Sequence, residues 1–233
     1  MVLDLFGWKY PNTVSIAAQP TDWTDPADNE STDGGSGAAG IDTGLVRAAI
    51  WSREKDAGWS TMPTVDMSAA PNTLIHHGIS FSKGAGEIWE PVVTAFAVDT
   101  TGNASLVDPS ASQAIPLTVG DMIVAFWAMN GDAGTPTLPT AYSAPSITFG
   151  TVSGRFNVAN TVGQDMRVCC DTFSVTAGTA TSGIDSSITY SVAGNAALAG
   201  AVVYARLRAS TPPAIGPPWR HPLRRRPVHL LRR

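Results

Sequence analysis

No segment of this chain carries apolar residues at helical spacing for three turns, whereas short runs rich in Val, Ile, Thr, Phe and Trp recur between Gly, Pro, Asn and Asp. That pattern constrains the fold more than any other feature. Residues of this kind pack well on a pleated surface, and the punctuating residues supply the turns that reverse it. With 22 Gly, 17 Pro and only 15% charged residues, helix formers are too sparse to compete. The expectation is an all-β chain folded as an antiparallel, jelly-roll-like β-sandwich of eight or nine strands.

The runs place the strands. Leu45 to Arg53, Leu74 to Ser82, Val92 to Val98, Met122 to Met129, Ser146 to Val152, Met166 to Thr176, Ile188 to Val192 and Val202 to Leu207 are expected to be extended. Met122 to Met129 is the most apolar of them and should be a central strand covered on both faces. In the second run Ile75, His77, Ile79 and Phe81 alternate with His76, Gly78 and Ser80, which predicts a half-buried strand. In the sixth, the apolar phase shifts from Met166, Val168 and Cys170 to Phe173 and Val175, which predicts a β-bulge near Asp171.

Three regions follow from composition. Residues 1–44 open with an apolar cluster (Val2, Leu3, Leu5, Phe6, Trp8, Tyr10) and continue as an acidic, Gly-rich linker. They read as an extended N-terminal segment. Residues 45–208 form the sandwich body. Residues 209–233 form a Pro/Arg-rich arm whose prolines favour extended backbone. Eight arginines lie at or after Arg206, where no Asp or Glu occurs, which leaves seven basic residues against all 19 acidic ones in the remainder. Such segregation suits an arm that docks on an acidic surface. Its apolar residues argue against a purely electrostatic tail, so nucleic acid is the less favoured receptor. The docking residues expected are Trp219, Arg220, Leu223, Arg224, Arg225, Arg226, Leu230, Leu231, Arg232 and Arg233.

Catalytic and metal chemistry finds no constellation in the sequence. Cys169 and Cys170 are adjacent, so on a strand they face opposite ways and form no ordinary bridge. His76 and His77 are separated by the same alternation and cannot share an ion on one strand. Gly35-Ser36-Gly37-Ala38-Ala39-Gly40 spells a dinucleotide fingerprint, yet no strand leads into it and no helix follows. Glu87 and Glu90 fall on opposite faces at odd spacing and read as edge charges rather than a hydrolytic pair. Neither a catalytic residue, a cofactor nor a metal is therefore expected, and the chain reads as a non-enzyme. Trp51 and Trp59 flank a polar stretch and read as core caps or, in the alternative, as a stacking platform for glycans. Asp4 and Lys9 interrupt what a secretory leader would need, and no run is long enough to span a bilayer, so a soluble cytoplasmic product is expected.

Leu117-Thr118-Val119-Gly120-Asp121-Met122-Ile123-Val124-Ala125, the strand around Val168 to Val175, and Ala199-Gly200-Ala201-Val202-Val203-Tyr204-Ala205 together resemble β-sandwich modules of virion proteins in tailed bacteriophages. The Pro/Arg-rich ending resembles the C-terminal arms of minor tail proteins in phages of actinobacteria. The resemblance spans roughly residues 115–233. It implies a structural virion protein that assembles in multiple copies, with other virion proteins and copies of itself as partners. It carries no catalytic residues. The alternatives are a capsid decoration or head-fibre protein and, in another class, a carbohydrate-binding module that recognises the host surface.

Overall fold

The computed structural model describes residues 1–10, 16–18, 23, 45–55, 64, 66–67, 73–103, 106–109, 111–130, 136–160, 166–190 and 198–212. Within them the chain is all-β, and every pairing is antiparallel. Eight strands are eight residues or longer: β1 (Val2–Tyr10), β2 (Leu45–Arg53), β3 (Thr73–Ser80), β4 (Val93–Asn103), β5 (Met122–Met129), β6 (Ser153–Asn160), β7 (Met166–Ala177) and β8 (Leu198–Leu207). They form two main sheets. The first has the order β2-β1-β3. The second runs β7-β5-β8-β4, with β6 and the short strand Thr148–Phe149 both pairing on the outer side of β7.

Three apolar layers result. Leu3, Leu5, Val46, Ala48 and Ile50 of the first sheet pack on Val124, Phe126, Ala128, Val168, Cys170, Val203 and Ala205 of the second. The other face of the second sheet (Ile123, Ala125, Trp127, Met129, Phe173, Val202, Tyr204) is covered by Val107, Ile115, Leu117, Tyr142, Ile184 and Ile188, from loops and short strands. The outer face of the first sheet is closed by Phe6, Trp8, Ala49, Trp51 and Trp23. The expected pair of packed sheets is thus present, with an additional cover on each outer face.

β5 runs through the middle as its composition demanded, with every residue from Ile123 to Met129 buried. β7 resolves the phase shift differently from expectation. Its register with β5 is unbroken from Arg167 to Ser174. Met166, Val168 and Cys170 face the first sheet, while Cys169, Phe173 and Val175 face the opposite core. A strand buried on both faces shows a change of apolar phase without any slip. The irregularity lies on the neighbour, between Gly154 and Phe156 of β6, where the extra Arg155 donates to Thr172 Oγ1 at 2.7 Å.

β1 is the larger departure from the sequence reading. The apolar cluster at residues 2–10 is the middle strand of the first sheet, paired on both sides, and belongs to the body rather than to a separate extended segment. Gly7 permits this. A Cβ there would lie 2.9 Å from Val168 Cγ1 and 3.0 Å from Ala128 Cβ, so any side chain would push the two sheets apart. His76 and His77 face opposite ways as their spacing required: His76 bonds Asp4 on the outer face, and His77 lies against Phe156 at 4.1 Å between ring centroids.

One polar chain crosses the core. Trp127 Nε1 donates to Tyr142 Oη at 3.1 Å, and Tyr142 Oη donates to Asp171 Oδ2 at 2.7 Å. Burial raises the Asp171 pKa, and the Tyr142 hydrogen bond opposes that shift in part.

Candidate functional site at the root of the C-terminal arm

The turn from residue 117 to 121 explains itself residue by residue. Gly120 has φ of +92°, a conformation that a side chain would strain. Asp121 then folds its carboxylate back, so that Oδ2 accepts the Thr118 amide at 2.8 Å, while its own amide donates to Thr118 O at 3.1 Å. The resulting turn hands the chain into β5 and leaves the Asp121 carboxylate fully buried.

Arg208, one residue beyond the end of β8, meets that carboxylate as a fork. Its Nε lies 2.6 Å from Oδ1 and its Nη2 lies 2.8 Å from Oδ2. The pairing with Asp121 raises the Arg208 pKa, which fixes its charge. Glu90 adds a weaker contact to Arg208 Nη1 at 3.5 Å and a further one to Arg206 Nη2 at 3.8 Å. Arg206, only 4% exposed, donates to the carbonyls of Pro116 and Pro91 at 3.3 and 3.4 Å. Ala209–Ser210 then pairs with Ile88–Trp89. The last described residues, Thr211 and Pro212, therefore leave from a root held by ion pairs and a two-residue ladder.

This network revises the charge segregation. Arg206 and Arg208 belong to the body, which leaves six of the 15 basic residues in the arm after Ser210 and nine against 19 acidic ones in the remainder. Glu90, read from sequence as an edge charge, is a member of the same network. A signal for Arg206 was present: an arginine inside the apolar run Val202 to Leu207 must find acceptors wherever that run is buried.

Beside the root lies an open groove of about 310 Å³, with Arg53, Glu54, Trp89, Glu90 and Pro91 among its walls. Its charges are mixed and largely committed, since Glu54 pairs with Lys83 and Glu90 with the two arginines.

The proposed arm residues Trp219, Arg220, Leu223, Arg224, Arg225, Arg226, Leu230, Leu231, Arg232 and Arg233 lie outside the described residues, as does Trp59. Of the two readings of Trp51, the glycan platform is the one that its placement disfavours. Its side chain is fully buried, with its ring edge-on to Phe6 at 4.6 Å, and it cannot present a stacking face to a sugar. It faces the outer layer of the first sheet because β2 alternates Ala49 and Trp51 outward with Ala48 and Ile50 inward. Among the described residues no three His, Cys, Asp or Glu side chains converge on a possible metal position, and no helix is long and apolar enough to cross a membrane. Comparison with protein families, with curated proteins and with solved structures finds no match for the chain.

Proposed function

We propose that this chain is a non-enzymatic structural component of a tailed-phage virion, a minor tail protein whose sandwich body assembles and whose C-terminal arm docks on a neighbour. The observation that carries the reading is the clamp at Arg208. A body that fixes the root of a Pro/Arg-rich segment with a buried, bidentate ion pair is built to transmit load from that segment to its core. The segregation of six arginines into the arm supports it, since an acidic body attracts such an arm on a neighbouring subunit. The resemblance of residues 115–233 to virion modules points the same way. The glycan-platform reading loses one of its two residues with the burial of Trp51.

The test is truncation after Pro212, which removes the arm and keeps the clamp. The truncated chain should melt at the temperature of the full chain and should no longer copurify with virions when supplied in trans. Normal incorporation of the truncated chain would refute the proposal.

A further inference from the structure

A second concave surface has the chemistry that the groove at the root lacks. An open bowl of about 380 Å³ is walled by Asp108, Thr137, Pro139, Tyr142, Ser143 and Asp185, among others. Asp108 and Asp185 are both exposed, and no Lys, Arg or His occurs among the residues that line it. The backbone of the bowl is firmly built. Ser143 and Asp185 exchange both amide hydrogen bonds, at 3.0 and 2.9 Å, and the Asp108 amide donates to Asp99 Oδ2 at 2.8 Å.

Position matters as much as charge. Asp99 pairs with Gly200, so the Asp108 rim sits at the start of β8, whereas the arm departs beyond its end. The seven steps along the eight residues from Gly200 to Leu207 span about 23 Å of extended strand. The Asp108 side of the rim thus lies away from the root, while the Tyr142 wall stacks on Phe173, beside Ile123 and nearer the root. The sequence places Pro212, Pro213, Pro217 and Pro218 at the start of the arm, and proline favours extended backbone.

Resting on the arm-docking reading above, we propose that this bowl receives the arginine cluster of the arm from a second copy of the chain. Arg224, Arg225 and Arg226 supply planar forks that match the Asp108 and Asp185 carboxylates, and the hydroxyls of Thr137 and Ser143 accept the remaining donors. Because donor and receptor are different surfaces, the contact is heterologous. Repetition builds a ring if the rotation closes and a filament if it does not.

The test uses full-length chains in sedimentation velocity at low and high salt. Wild type should associate at low salt and dissociate at high salt. Asp108→Asn/Asp185→Asn and Arg224→Glu/Arg225→Glu/Arg226→Glu should each weaken association by about tenfold or more, with unchanged melting. Asp108→Lys/Asp185→Lys, monomeric alone, should assemble when mixed with the triple-Glu chain, which an arm folded on its own body cannot reproduce. Undiminished association of the double-Asn chain, with loss in the triple-Glu chain, would overturn the bowl and leave the arm reading standing. Undiminished association of both would overturn the bowl and argue against the arm as the associating element. A wild type monomeric at every salt would overturn the bowl proposal, leaving virion incorporation of the truncated chain to judge the arm.

Discussion

Substituting Arg208 by Ala isolates the energy of the clamp. Asp121 is fully buried and accepts three hydrogen bonds, two from Arg208 and one from the Thr118 amide. Loss of the guanidinium leaves a buried carboxylate with one of its three donors. Breaking a buried ion pair from one side costs about 3–5 kcal/mol. The lower end applies here, because the Arg208 side chain is 25% exposed and the Thr118 amide remains. A loss of about 3 kcal/mol corresponds to a fall in Tm of about 9 °C for a chain of this size. Arg208→Lys keeps the charge and loses the fork, so it should cost about half as much. In Asp121→Ala/Arg208→Ala the combined loss should fall short of the sum of the single losses, because the second change removes an already orphaned partner. Differential scanning calorimetry of wild type, Arg208→Ala, Arg208→Lys, Asp121→Ala and the double variant measures all of this. A Tm for Arg208→Ala within about 2 °C of wild type would refute the clamp as an energetic element, and strict additivity would refute the coupling.

Three further outcomes follow from buried side chains. Trp51→Ala should destabilise the body by about 3–5 kcal/mol in urea titration, as expected for a buried indole replaced by a cavity, and a change below about 1 kcal/mol would contradict its placement. Cys169 and Cys170 are both buried, with burial pushing their thiol pKa values well up, so Ellman's reagent should label neither in the native protein and both after denaturation. Burial sets the folded pKa of Asp171 above its unfolded value, so the stability associated with its neutral form is full below about pH 4 and is lost as pH rises through the folded pKa. Asp171→Asn, which keeps an acceptor for Tyr142, should therefore gain on wild type in urea denaturation as pH rises from about 4 toward neutrality. A difference that stays flat with pH would contradict the raised value.

What local residue chemistry reveals is clearest in β2 and β5, whose bounds follow from the apolar runs Leu45 to Arg53 and Met122 to Met129. A run that is apolar on both faces and too short for a helix has few other uses, so strand identity and the all-β class were legible before any coordinates. The same logic was less informative for β6. Its sequence, Ser153-Gly154-Arg155-Phe156-Asn157-Val158-Ala159-Asn160, is a half-exposed edge with Val158 open to solvent, and its run of apolar residues is too weak to signal a strand. The run 146–152 corresponds to a shorter strand, Thr148–Phe149, at the edge of the second sheet, and the alternation at 188–190 corresponds to the short strand Ile188–Tyr190, which covers the core from outside the main sheets.

The sequence by itself determined which residues must leave water and which turns need glycine, because apolar burial and positive φ are properties of single residues and their near neighbours. Tertiary structure alone decided which buried surfaces meet. β1 became a central strand because Gly7 lets it approach Val168 and Ala128, residues more than a hundred positions away. Trp51 was hidden by Phe6 of the neighbouring β1, and Arg208 found Asp121 across 87 residues. Those partners lie at separations over which no local pattern carries information, and only the closing of both sheets brings them together.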